Sequence, residues 1–138
     1  MVDQAGGSLP ELVRQVAAEA EEAWKQYAVE GAAGPDTPVE IDDALREIDA
    51  ESAAEHLTYL ATYDLVSLGS GRRDRAHARR AAERVVRLLG YEAAWYTNII
   101  DLSPGTRAWN PVTRHTFDGV VAGTAGSFTV LLLQVGED

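Results

Sequence analysis

The densest group of chemistry-bearing side chains in the sequence is Arg114-His115-Thr116-Phe117-Asp118. Strand alternation would set His115 beside Phe117 and place Arg114, Thr116 and Asp118 on the opposite face. A histidine titrates near neutrality, so His115 could act as general acid and base in a small hydrolase or nuclease, with Arg107 and Arg114 holding an anionic group. That chemistry also needs a nucleophile motif, a phosphate loop or a second acid, and the sequence supplies none of them. The chain therefore reads as a non-enzyme, and His115 as a partly buried strand histidine with a hydrogen-bonded nitrogen. The alternative is a ligand site or small enzyme drawn from Trp95, Tyr96, Arg107, Trp109, Asn110, Arg114 and His115. In that reading the loop from Ser103 to Pro111, bracketed by Pro104 and Pro111, presents its tryptophan and its arginine. Trp109 fits equally well as a side chain folded back over the sheet edge.

His56, His77 and His115 lie far apart and have no metal-ligand spacing, so neither a bound metal nor a cofactor is expected. There is no cysteine, hence no disulfide and no thiolate chemistry. The opening residues, Met1 to Ser8, carry neither the basic start nor the apolar core of a secretory signal, and no apolar run is long enough for a membrane span. The expectation is a cytoplasmic protein without membrane contact.

The net charge of −10 is unevenly spread. Residues 1–66 carry −12, residues 67–90 carry +5 and residues 91–138 carry −3. A surface so acidic repels nucleic acid and attracts basic proteins. Glu40, Asp42, Asp43 and Glu47 are the candidate contact residues for a basic partner, which makes an inhibitor or immunity-type binding protein the favoured reading. The competing explanation is that the acids only keep the chain soluble.

The elements that must position these residues are helices first and strands last. Ser8-Leu-Pro-Glu11 is a capping box, and Leu9, Leu12, Val13, Val16, Ala20, Ala23, Trp24 and Tyr27 follow on one helical stripe. Thr37-Pro-Val-Glu40 repeats the start signal. Ile41, Ala44, Leu45 and Ile48 make a short stripe out of phase with Ala53, Leu57, Leu60, Ala61, Asp64 and Leu68. Two helices broken near Asp49 reconcile the two stripes, with Asp49 capping the second. A fourth helix is expected from about Arg72 to Leu89, one side apolar and the other lined by Arg73, Arg80, Arg84 and Arg87, with Gly90 as its stop. Three β-rich runs remain: Trp95 to Ile100, Val112 to Val121 and Phe128 to Val135.

The expected fold is a single α+β domain, residues 1–138, helical over 8–90 and β-rich over 91–136. About four helices would pack on one face of a three-stranded, mainly antiparallel C-terminal sheet. Leu131, Leu133 and Val135 would then lie on the uncovered face. Covering them leads to a homodimer, or to a helix that crosses to the second face within one chain.

Overall fold

The computed structural model describes residues 2–3, 8–23, 37–62, 75–102, 108–113 and 117–136. It is an α+β protein whose elements run β1 (Val2–Asp3), α1 (Leu9–Ala23), α2 (Pro38–Ala44), β2 (Arg46–Ile48), α3 (Ala50–Thr62), α4 (Arg75–Leu89), β3 (Ala94–Thr97), β4 (Ile99–Asp101), β5 (Ala108–Trp109), β6 (Phe117–Ala125) and β7 (Phe128–Gly136). The expected continuation of the first helix through Trp24 and Tyr27, the stretch from Asp64 to Leu68, and Arg72 and Arg73 lie outside the described residues.

The helix starts are local events. Ser8 Oγ accepts from the Glu11 N–H at 3.4 Å. Thr37 Oγ1 accepts from the Glu40 N–H at 3.3 Å and donates to Glu40 Oε1 at 3.1 Å. Asp49 Oδ1 accepts from the Ser52 N–H at 2.7 Å, so the break at Asp49 and its role as the cap of α3 hold. That hydrogen bond holds the Asp49 carboxyl below its usual range. Its stabilising effect is present above the ordinary carboxylate pKa and is lost as pH falls through the lowered one. Asp49→Ala is expected to lower the melting temperature by about 4 °C at neutral pH, and by less in acid. An unchanged melting temperature would show that the N-terminus of α3 does not depend on this cap.

The stripe from Ile41 to Ile48 is not one helix. At Leu45 the backbone becomes extended (φ −91°, ψ 141°), and its N–H closes α2 on the carbonyls of Ile41 and Asp42. Residues 46–48 then form β2, which pairs antiparallel with β3. The expectation of helix alone across residues 8–90 is corrected accordingly.

The main sheet has five strands in the order β1-β7-β6-β3-β2, not three, and every neighbouring pair is antiparallel. The first β-rich run splits at Asn98. Residues 94–97 join the main sheet, whereas 99–101 pair with β5 in a separate two-stranded sheet. The second run starts later and ends later than expected, at Phe117 and Ala125 rather than Val112 and Val121. It forms the centre of the sheet and turns into β7 through Gly126-Ser127. Gly126 has φ +59° and no described non-glycine residue has positive φ, so this is a two-residue turn of type II′, which matches the twist of the strands it joins.

Alternation along β6 and β7 builds two cores. Val121 meets Ala53, Leu57 and Leu60 of α3, Ala82 of α4, and Trp95, with Leu132 packed alongside. Val120, one residue back, meets Val13 of α1, Ile41 and Ala44 of α2, and Val112, with Leu131 and Leu133 packed alongside. Helical residues therefore meet both faces of the sheet, α3 and α4 on one and α1 and α2 on the other. The one-face arrangement is corrected, and an uncovered face is no longer a ground for a homodimer. Among the described residues, no helix is long and apolar enough to cross a membrane.

Candidate functional site

The acidic candidates all belong to one continuous piece of chain. Ile41 and Ala44 are buried and pin α2 to the sheet, so the intervening positions point outward. Glu40, Asp42 and Asp43 are exposed. β2 ends the main sheet, and Glu47 stands opposite Tyr96 in the β2–β3 register. Tyr96 in turn stands opposite Ala122, whose neighbours Leu131 and Val120 share the α1–α2 side of the sheet. Glu47 is thus presented on the same side as α2.

Between residues 37 and 62 the only lysine or arginine is Arg46. It lies on the opposite side of β2 from Glu47, and its guanidinium is committed to backbone. Nε donates to the Ile99 carbonyl at 2.9 Å and a terminal nitrogen donates to the Ile100 carbonyl at 3.3 Å. The base that could have neutralised the acids is held on the far face. What remains is a stretch of exposed carboxylates, suited to pairing with lysines and arginines of a partner and to steering its approach.

The ligand candidates that the structure describes are spread over different elements. Arg107, Arg114 and His115 lie outside the described residues. Trp95 is 1% exposed and belongs to the core under α3 and α4. Tyr96 points to the other face of the sheet by alternation. Trp109 is half-buried and stands opposite Ile99 in the small sheet. Asn110 is exposed, and its N–H donates to the Asn98 carbonyl at 2.9 Å. Among the described residues, no group of three or more acids and histidines could hold a metal ion.

The sequence reading missed a buried polar network centred on Asp118, which alternation alone had grouped with the polar face of its strand. Asp118 is 2% exposed. Its carboxylate accepts from the Val112 N–H at 3.2 Å, the Thr113 N–H at 3.0 Å, Thr113 Oγ1 at 2.8 Å and Asn98 Nδ2 at 2.7 Å. Asn98 also donates to the Asn110 carbonyl at 2.8 Å and accepts from the Val120 N–H at 2.8 Å. These bonds tie residues 110–113 to the start of β6 and seat Val112 in the α1–α2 core. Every acceptor site of Asp118 is directed at the protein itself, so the group works as a strut. The available signals were a lone acid in a β-rich run and an asparagine interrupting another, both of which also fit surface positions.

Among the described residues, His56 is the other buried titratable group. Its Nδ1 lies 2.7 Å from the Ser52 carbonyl, which makes Nδ1 the protonated nitrogen of the neutral ring. Burial pushes its pKa down, and Arg46 adds to this, while the Ser52 carbonyl and Glu55 act the other way. With the folded value depressed, its contribution to stability is present above the ordinary pKa of 6.5 and is lost as pH falls through the folded value. The melting temperature is expected to fall between about pH 7 and pH 5, and His56→Phe should flatten that slope. An identical slope in the variant would assign the pH dependence to other groups.

In comparisons with known proteins, no family model, no curated protein and no solved structure matches the chain.

Proposed function

We propose that this chain is a non-catalytic cytoplasmic binding protein that engages a basic protein through Glu40, Asp42, Asp43 and Glu47, in the manner of an inhibitor or immunity-type protein. The observation that carries the reading is the segregation at β2. Four exposed carboxylates occupy one side of the segment, and Arg46 is tied to the carbonyls of Ile99 and Ile100 on the other. A chain that needed these acids only for solubility would gain nothing from keeping its nearest base away from them. Carboxylates on a short helix and an edge strand are also held on a rigid support, so a partner's cations lose less freedom in meeting them.

The test is capture from lysate of the source cell on immobilised wild type and on a variant carrying Glu40→Gln, Asp42→Asn, Asp43→Asn and Glu47→Gln. The wild type should retain a basic protein at about 50 mM salt and release much of it near 500 mM, where the Debye length falls to a few ångströms. The neutralised variant should associate with that protein at least about tenfold more slowly at low salt. Equal capture by both proteins would reject the acidic face as the contact surface.

A further inference from the structure

We propose that the acidic face docks on a second copy of this chain, whose local basic patch is the arginine stripe of α4 beside the groove between α3 and α4. The inference rests on the binding reading above and names its partner.

The groove encloses about 550 Å³. Ala50 and Ala54 of α3, Val86 of α4 and Gly90 just after it form its apolar lining, and Tyr91, 94% exposed, lies beyond them. Arg79, Glu83, Arg87 and Glu51 also line it. Arg79 and Glu83 are paired at 2.7 Å. Arg80, Arg84 and Arg87 follow one another on a single outward stripe of α4, all exposed, and Leu88 next to them is 80% exposed. Glu83, Glu51 and Glu55 are acids that oppose an incoming carboxylate here, and all three act on Arg79.

The acidic face offers the complement. Val39 on α2 is 70% exposed and sits in sequence beside Glu40, Asp42 and Asp43. An apolar side chain set among carboxylates matches an apolar groove whose own charges balance, with the basic excess supplied by Arg80, Arg84 and Arg87 along its α4 side. Within one molecule the two cannot meet, because α2 packs on one side of the sheet and α3 and α4 on the other. Two copies can meet. A contact between different surfaces is head-to-tail, so each association leaves one acidic and one basic face free, and growth proceeds to chains or closed rings rather than to a two-fold dimer.

Two molecules of charge −10 repel at long range. At about 0.1 M salt the Debye length of about 10 Å screens that repulsion, while groups in contact still attract. Near 1 M the attraction weakens as well.

The deciding experiment is sedimentation of wild type and two folded variants at about 0.1 M salt. One variant carries the four acid neutralisations above, and the other carries Arg80→Gln, Arg84→Gln and Arg87→Gln. Wild type should form concentration-dependent species larger than 14.9 kDa. Each variant alone should associate at least about tenfold more weakly. An equimolar mixture should form a 1:1 species and nothing larger, because one competent face survives on each. Val39→Ser should weaken wild-type assembly without changing the net charge. The proposal is overturned by a 14.9 kDa wild type throughout, by variants that assemble like wild type, or by a mixture that stays monomeric. Loss of lysate capture in the acid variant together with a monomeric wild type would remove the second copy as partner and leave the acidic face as a binding surface.

Discussion

Asp118→Ala is expected to destabilise the protein by about 4 kcal/mol, a large share of what a domain of this size possesses. The substitution strands the N–H groups of Val112 and Thr113, the Thr113 hydroxyl and one Asn98 contact in a buried site. Each buried donor left without an acceptor costs on the order of 1–3 kcal/mol, and residues 110–113 would lose their anchor on β6. Asp118→Asn keeps the shape but turns a donor toward donors, so a loss of about 3 kcal/mol is expected there. Chemical denaturation checks both values. A loss below about 1 kcal/mol for either variant would show that the network is relieved by rearrangement.

The same residue should leave a mark on the pH dependence. Burial pushes the Asp118 carboxyl above its usual range, and the donors from Thr113, Val112 and Asn98 pull against it without prevailing. Because the folded state then holds the proton more tightly than the unfolded chain, this contribution is present below the ordinary value of 3.8 and is lost as pH rises through the raised one. The difference in stability between wild type and Asp118→Asn should therefore be greatest in acid and shrink toward neutrality, over and above the constant cost of the changed contacts. A constant difference across the range would mean that Asp118 has the same proton affinity in both states.

Gly123→Val is expected to cost about 3 kcal/mol, and Gly123→Ala about half as much. Gly123 lies in the central strand opposite Trp95, and the tryptophan ring occupies the space a side chain would take. A Cβ placed there would stand 2.6 Å from the Trp95 ring and 2.7 Å from a Leu89 methyl. Trp95 is 1% exposed and walled in by α3 and α4, so it cannot swing aside as a surface side chain could. The expected signature is a lower melting temperature together with altered tryptophan fluorescence. A wild-type melting temperature in Gly123→Val would contradict the close contact between the ring and the strand.

Much of the local structure was legible in the residues alone. The starts at Ser8, Thr37 and Asp49 each depend on a side chain bonding an N–H three residues on, a relation written directly into the sequence. The last strand, Phe128–Gly136, and its partition into two faces followed from alternation, and the acidic residues 40–47 were visible as charge.

What the sequence left open turned on contacts between distant residues. Ile41, Ala44, Leu45 and Ile48 fit helical spacing, yet residues 46–48 are a strand because Trp95–Thr97 pair with them. Asn98 and Asp118 pass for surface residues until the fold brings them within 2.7 Å of each other. Nothing local distinguishes four helices on one side of a sheet from two on each, because an amphipathic stripe says that a face is buried and not against what. The apolar residues on both sides of β7 required cover, and only the tertiary structure decided that α1 and α2 would supply it on one side and α3 and α4 on the other. That choice sets the acids of α2 and β2 on one side of the sheet and the arginines of α4 on the other.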